Sequence, residues 1–184
     1  GGHLGFKKED LENQTYQSLE EIFQEVEQVV ESFQLNIPIF VAGGIHQRSD
    51  VKHFFELGVD GVQVASRFIP TYECDASMKY KEAFLKAKKE EVGLVSSPVG
   101  MPGRAFQNAF VQKTKQEKVP IKKCYQCLTP CNLKTTPYCI SRALIEAVKG
   151  NLDEGLIFTG AYGYMQDHLM HVEEVIHELM EDEK

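Results

Sequence analysis

The residues best suited to chemistry follow a short apolar run in the first third of the chain. Residues 37–42 (Ile-Pro-Ile-Phe-Val-Ala) lack polar alternation, which predicts a strand covered on both faces, as in a parallel sheet. Gly43 and Gly44 come next, and glycine lets backbone N–H groups approach an anion closely. The pattern predicts a phosphate site to which the nearby His46 adds charge. A tight turn that needs glycine only for its geometry is the alternative.

A second strand end of similar character follows along the chain. Residues 59–65 (Val-Asp-Gly-Val-Gln-Val-Ala) predict another short strand, and Ser66 adds a hydroxyl group after it. Parallel neighbouring strands bring their carboxyl ends to one edge of a sheet, as at the phosphate site of (β/α)8 barrels. We therefore expect Ala65 and Ser66 to bind the same phosphate group as Gly43 and Gly44.

A histidine between glycines stands at the beginning of the sequence, in Gly1-Gly2-His3-Leu4-Gly5. Its small neighbours leave room for a ligand against the backbone, and an imidazole exchanges protons near neutral pH. His3 is therefore a candidate acid–base group facing a cavity. A terminal segment without function, or a purification-tag histidine, is the alternative.

Four of the five cysteines lie close together. They have the spacing Cys-X2-Cys-X3-Cys-X7-Cys, at Cys124, Cys127, Cys131 and Cys139. Thiolates are soft ligands for zinc or an iron–sulfur cluster, but zinc sites usually have two close pairs, and standard ferredoxin spacing is not met. A zinc ion, an iron–sulfur cluster and four reduced thiols all stay open. The odd cysteine count without a secretory signal favours reduced thiols and a cytoplasmic location.

Helices are predicted on both sides of the two strands. Apolar residues at 3-4 spacing predict a helix over residues 15–33, which Ser18 and Glu21 can start with a capping box. Ser49 or Asp50 can cap the next helix. Further helices are predicted over residues 49–57, 75–90, 105–115, 140–149 and 169–180. The alternation of helix and strand up to residue 90 predicts a right-handed βαβ arrangement, whereas residues 92–104 have no period.

The overall composition excludes two classes of function. The 184 residues contain 20 Lys and Arg against 27 Asp and Glu, a net charge of −7. Sequence-independent binding of nucleic acid needs clustered cations instead. No apolar run approaches the ~20 residues that a membrane span requires. We therefore expect binding neither to nucleic acid nor to a membrane.

These motifs resemble the nitronate monooxygenase family, formerly the 2-nitropropane dioxygenases, which includes FMN-dependent enoyl-acyl-carrier-protein reductases. The matching segments are residues 1–5, 38–45, 60–68 with Thr71 and Glu73, and 98–105 with Asn108. They cover the chain to about residue 110 in order and spacing. The Cys-rich remainder is similar to a bacterial subgroup.

The resemblance implies a TIM (β/α)8 barrel with FMN at the carboxyl ends of its strands. The implied FMN-binding residues are Gly2, Ala42, Gly43, Gly44, Gln63, Ala65 and Ser66. His3 would act as the base, or position the substrate anion, beside the flavin. The implied reaction on a small-molecule substrate is oxidative denitrification of alkyl nitronates with O2. Enoyl-acyl-carrier-protein reductase and NAD(P)H:quinone reductase activities are alternatives within the family.

One departure from the family is large. A TIM barrel needs eight strands and ~250 residues, whereas this chain has two clear strands. We therefore predict an α/β fold in which residues 1–90 are the C-terminal part of a barrel, completed by a missing N-terminal half. Residues 91–184 are predicted to form a mostly helical extension that contains the cysteines.

A metal-binding interaction module is the alternative from another functional class. In that interpretation, the four cysteines bind metal and residues 120–184 dock a partner, while the barrel portion is scaffold. The last amphipathic helix can pack within the chain or against a second copy, so a homo-oligomer is also open.

Overall fold

The computed structural model describes residues 2–129 and 131–181, and the architecture is α/β. Gly1 of the predicted Gly-Gly-His motif and residues 182–184 of the predicted extension lie outside this part. The helices are α1 (Lys8–Asn13), α2 (Leu19–Ser32), α3 (Arg48–Leu57), α4 (Met78–Lys86), α5 (Ala109–Gln116), α6 (Ile140–Val148) and α7 (Val172–Met180). The strands are β1 (Phe40–Ala42), β2 (Gly61–Gln63), β3 (Val92–Ser96) and β4 (Pro102–Phe106), and 3-10 turns cover Ser66–Phe68 and Lys89–Glu91.

β1 and β2 form a parallel pair connected through α3. Their register pairs Phe40 with Gly61 and Val41 with Val62, so the predicted β-α-β unit is confirmed. Val41 is buried, but the side chain of Phe40 is 66% exposed. The prediction of a strand covered on both faces is therefore wrong for the described residues, because they provide a packing layer on one face only.

Local signals set the ends of the flanking helices. Ser18 Oγ accepts a hydrogen bond from the Glu21 N–H, and the Glu21 carboxylate accepts one from the Ser18 N–H, so the predicted capping box starts α2. Gly58 follows α3 with a φ of 99°, in the left-handed region that favours glycine. These two predictions are confirmed.

An antiparallel hairpin occupies the region for which the sequence predicts no regular structure. Val92 pairs with Phe106 and Ser96 pairs with Pro102, so β3 and β4 span residues 92–106. The predicted helix from residue 105 is wrong at its start, because α5 begins at Ala109 after the N-cap Asn108. The region predicted as mostly helical therefore begins with a hairpin, whose glycine and proline content conceals the strand pattern.

Contacts cross residue 90 in both directions. Val175 and Leu179 of α7 belong to the same buried cluster as Val41 of β1. The N-terminal segment in turn lies along β4, where the Arg104 N–H donates to the Gly2 carbonyl at 2.6 Å. The division into two units at residue 90 stays a prediction. No helix among the described residues is both long and apolar enough to cross a bilayer.

Candidate active site

β1 and β2 end side by side, because Ala42 is the partner of Gln63 in their parallel register. Both residues are exposed. The prediction that the two strands are parallel neighbours with adjacent carboxyl ends is thus confirmed. We call the backbone of residues 42–44 and 63–66 the glycine cradle.

The two glycines give the glycine cradle its open shape. Gly43 has a φ of 108° and Gly44 a φ of 70°, both in the left-handed region. A Cβ on Gly43 would meet no atom within 4 Å. The N–H groups of Gly44, Ala65 and Ser66, which lie beyond the strand ladder, have no acceptor among the described residues. Such backbone concavities with unpaired N–H groups bind anions, so the glycine cradle fits a phosphate group.

The start of α3 contributes less to the glycine cradle than its sequence position implies. The N-cap residue of α3 is Gln47, so the predicted cap Ser49 is wrong, whereas Asp50 caps the helix as the N3 residue of a capping box. The Asp50 carboxylate accepts from the N–H groups of His46 and Gln47, both at 2.9 Å. Because the Asp50 carboxylate occupies these two donors, the N–H groups of His46 and Gln47 are not open to an anion.

Residues 159–162 form a third side of the glycine cradle, which the sequence analysis missed. The Gly160 N–H donates to Ser66 Oγ at 2.9 Å, and the two residues are 94 positions apart. The ring of Tyr162 lies 3.8 Å from the position of a Cβ on Gly44. The run Thr-Gly-Ala-Tyr-Gly is a glycine-rich signal, but its spacing does not connect it with Ser66.

A buried histidine and an arginine lie next to the glycine cradle. His46 is 5% exposed, and its burial, with the Arg67 charge as the second cause, lowers its pKa to about 4. His46 is therefore neutral at neutral pH, so the prediction that it adds charge to the site is wrong. Arg67 carries the positive charge. Its guanidinium pairs with Glu178 of α7, and its buried Nε has no acceptor in the described part of the chain.

His3 lies against the β3–β4 hairpin. It forms an antiparallel bridge with Gly103 of β4. Its Nε2 lies 2.7 Å from Ser97 Oγ, and burial lowers the pKa of the imidazole. His3 is therefore a fixed, neutral imidazole at neutral pH, which is the state that a proton acceptor needs.

The glycine before His3 makes room for an aromatic ring. A Cβ on Gly2 would lie 2.1 Å from the ring of Phe158, and a Cβ on Gly103 would lie 2.6 Å from it. Phe158 packs against His3 with 4.8 Å between the ring centroids. Gly2 thus contacts Phe158 on this side, and its role in binding FMN stays a prediction.

One short segment joins His3 to the glycine cradle. Phe158 contacts the His3 ring, and Gly160 bonds to Ser66. An extended chain advances at most about 7 Å over two residues, so the Cα atoms of Phe158 and Gly160 are no further apart than this. His3 and the glycine cradle therefore lie on either side of residues 158–160. The Thr159 N–H donates to the Arg104 carbonyl at 3.1 Å and holds this segment against β4.

The four cysteines predicted as metal ligands line one cavity in the connection before α6. All four are free thiols: Cys124 and Cys127 are exposed, whereas Cys131 and Cys139 are partly buried. Within residues 2–129 and 131–181, no three His, Cys, Asp or Glu side chains form a group that could hold a metal ion. The fold gathers the cysteines but does not arrange them as a ready ligand set.

The comparisons with known proteins agree on one family. The family model for nitronate monooxygenase matches residues 1–182. A probable nitronate monooxygenase from Staphylococcus saprophyticus is 32% identical over 116 residues, which cover 63% of this chain and 32% of that protein.

Solved structures share the fold. FabK from Thermotoga maritima gives a TM-score of 0.69 at 24% identity, covering 98% of this chain and 50% of that chain. A nitroalkane oxidase from Streptomyces ansochromogenes gives a TM-score of 0.67 at 20% identity, covering 97% of this chain and 47% of that one. The chain spans at most half the length of these relatives. With its family model matched over nearly every residue, the chain belongs to the nitronate monooxygenase family.

Proposed function

We propose that this chain is the FMN-binding C-terminal part of a TIM-barrel oxidoreductase that oxidises alkyl nitronates with O2. The observation that carries the proposal is the pair of adjacent strand ends, open at Gly43 and lined by unpaired N–H groups. A phosphate dianion bound there accepts hydrogen bonds from these groups.

The residues present fit the polar part of FMN. Gly44, Ala65 and Ser66 would hold the phosphate through backbone N–H groups, and Ala42 and Gly43 would line the same strand end. The exposed amide of Gln63 offers a donor and an acceptor beside them. FMN, when bound, supplies the redox chemistry that takes electrons from the substrate and passes them to O2.

His3 handles the proton in this proposal. In the tautomer whose Nε2–H donates to Ser97 Oγ, Nδ1 is the nitrogen that accepts a proton from the substrate. The lowered pKa keeps the ring neutral, so it accepts a proton from an uncharged nitroalkane. The resulting imidazolium then holds the substrate anion by its charge. Phe158 and Ser97 fix the ring orientation throughout.

The exposed face of β1 is where we place the rest of the barrel. Apolar side chains are also exposed in the segment that leads from the end of α2 into β1: Phe33 (72%), Leu35 (50%), Ile37 (53%) and Phe40 (66%). Within the described residues β1 pairs with β2 alone, and parallel sheets normally have both faces covered. An N-terminal barrel segment packed here would cover these side chains and complete the closed sheet.

A reductase is the second candidate function. The fold matches FabK as well as it matches the nitroalkane oxidase, with TM-scores of 0.69 and 0.67. Hydride transfer from NAD(P)H to an enoyl thioester or a quinone would use the same phosphate-binding backbone. The electron donor and acceptor distinguish the two functions, because only the nitronate reaction consumes O2 without a nicotinamide.

Co-expression of this chain with the N-terminal barrel half of a family relative tests the proposal. We expect the two segments to co-purify as a yellow complex that releases FMN on denaturation. Oxygen uptake with an alkyl nitronate then reports the proposed activity, and NADH oxidation with an enoyl thioester or a quinone reports the alternative. A co-purified complex without flavin would contradict the proposal.

Two variants test the role of His3 in the reconstituted complex. His3→Asn should lower the rate with a neutral nitroalkane at least about a hundredfold, as expected for a lost general base, while FMN stays bound. Ser97→Ala should lower this rate by a smaller factor, because it loosens the imidazole without removing it. A His3→Asn variant with unchanged rates would remove His3 from the mechanism.

A further inference from the structure

The connection between α5 and α6 is unusually long for a chain of this size. Residues 117–139 contain no helix or strand in their described part, from which only residue 130 is missing. Connections longer than about 12–15 residues without regular structure are uncommon in compact domains and are usually functional or disordered. This connection is anchored, because the Lys118 Nζ donates to the carbonyls of Leu133 and Lys134 at 2.7 and 2.9 Å. We call it the cysteine loop.

The cysteine loop, with the N-cap of α6, directs four thiols to one place. Cys124, Cys127, Cys131 and Cys139 all line the same cavity, whereas the fifth cysteine, Cys74, does not. The Cys124-X2-Cys127 turn contains Gln126 with a φ of 52°. The Gln126 N–H donates to Cys124 Sγ at 3.4 Å. A donor of this kind offsets the charge of a metal-bound thiolate and orients it.

The local charge is opposite to that of the whole chain. Residues 118–139 contain four cations and no carboxylate, although the chain carries a net charge of −7. The cations are Lys118, Lys122, Lys123 and Lys134. Four thiolates around one divalent ion retain a net negative charge, so a cationic surrounding without competing carboxylates stabilises such a centre.

We propose that the four thiols of the cysteine loop bind one soft metal centre, either a zinc ion or an iron–sulfur cluster. Both need the same chemistry, which is a set of four thiolates. As the thiols lie in the described chain, no three form a ligand set, so binding must draw them together. Metal sites in loops commonly form in this way, because binding of the metal supplies the free energy that orders the loop.

The proposed centre lies directly behind the hairpin that contacts His3. Pro98 belongs to the cavity wall, and the preceding Ser97 hydrogen-bonds to His3. The buried Tyr138 donates from its Oη to the Ser96 carbonyl at 3.0 Å. A filled centre would therefore hold residues 96–98 from one side. This consequence for His3 rests on the proposed function, whereas the metal site itself does not.

Metal analysis of the chain purified under reducing conditions tests the proposal. We expect one equivalent of zinc, or iron with acid-labile sulfide and a brown colour, and these two results distinguish the ion from the cluster. After chelation, titration with Co²⁺ should give the sulfur-to-cobalt charge-transfer bands of a tetrathiolate site at one equivalent. Zinc added afterwards should abolish these bands.

Serine substitutions locate the ligands. Loss of an outer-shell partner alone weakens metal binding 10–100-fold, so Cys124→Ser, Cys127→Ser, Cys131→Ser and Cys139→Ser should each weaken Co²⁺ binding at least about a hundredfold. Cys74→Ser is the matched control and should bind like the parent chain. A purified chain without metal whose titration gives no charge-transfer bands would overturn the proposal. That result is obtained on the parent chain, so it does not depend on how the variants fold.

Discussion

The glycine cradle and the cysteine loop are both candidate binding sites, but different parts of the chain hold them in place. Ladder bonds between β1 and β2 and the capped helix α3 fix the cradle. The cysteine loop has no ladder, and its thiols share a cavity through turns and side-chain contacts. Backbone pairing therefore preorganises the first site, whereas the second needs its ligand to bring the thiols together.

The two regions also differ in what lies next to them. The cradle borders the buried His46 and the partly buried Arg67, and the guanidinium of Arg67 pairs with Glu178 of α7. The cysteine loop is bordered by exposed lysines and by one buried phenol, that of Tyr138. We therefore expect the cradle to respond to pH through its folding stability, and the loop to respond to metal.

The largest predicted effect is an acid sensitivity of the cradle region. The pKa of His46 is about 4 in the folded chain against 6.5 in the unfolded chain, so the unfolded state binds the proton more tightly. The stability is complete above pH 6.5 and falls as the pH drops toward 4, by about 2–3 kcal/mol at pH 4.5. Urea unfolding of the parent chain and of His46→Gln, each at pH 7.5 and at pH 4.5, measures this loss of folding stability. Equal losses in both proteins would contradict this assignment.

The second prediction separates backbone strain from binding. Gly43→Ala and Gly100→Ala each place a side chain at a positive φ, 108° and 88°, with no atom within 4 Å of the new Cβ. Each should cost about 1–2 kcal/mol of stability. In the reconstituted complex only Gly43→Ala should weaken FMN retention, because only Gly43 belongs to the cradle. Equal FMN affinities of the two variants would contradict the assignment of Gly43 to the FMN-binding site.

The third prediction concerns the attachment of the cysteine loop to the hairpin. Tyr138→Phe removes the hydrogen bond to the Ser96 carbonyl and should cost about 1 kcal/mol in urea unfolding. Tyr125 lies in the same loop with an exposed ring, so Tyr125→Phe is the control and should change little. A Tyr138→Phe variant as stable as this control would show that packing alone holds the loop.

The smallest predicted effect concerns His171 and Glu73 at the N-terminal end of α7. The hydrogen bond that the His171 ring donates to the Glu73 carboxylate raises the pKa of His171 and lowers the pKa of Glu73. The ion pair therefore stabilises α7 fully between about pH 4.5 and 6.5. Its contribution is lost as the pH rises through the raised pKa of His171 or falls through the lowered pKa of Glu73. In NMR titrations, Glu73→Gln should return the pKa of His171 toward 6.5. An unchanged titration would exclude the pair.

Local signals explain the parts of the fold that the sequence predicts correctly. Ser18 and Glu21 start α2, and Gly58 ends α3, because caps depend on residues within one helical turn. The adjacent ends of β1 and β2 follow from two apolar runs separated by one amphipathic helix. The candidate phosphate site depends on these same local features.

Long-range contacts explain what the sequence analysis missed. The β3–β4 hairpin contains glycine and proline, so its strands become evident only through their pairing. The bond between Gly160 and Ser66 joins positions 94 residues apart. Likewise, nothing in the pattern of residues 169–180 indicates that α7 covers the core beside β1.

The sequence by itself determines which groups are present: glycines after two apolar strands, a histidine between glycines, and four closely spaced thiols. Tertiary structure decides the charge state, the partners and the surroundings of these groups. It buries His46 and so makes it neutral, it pairs Arg67 with Glu178, and it turns Gly2 toward Phe158. Burial and charge environment depend on residues far away in the chain, so no local pattern can contain them.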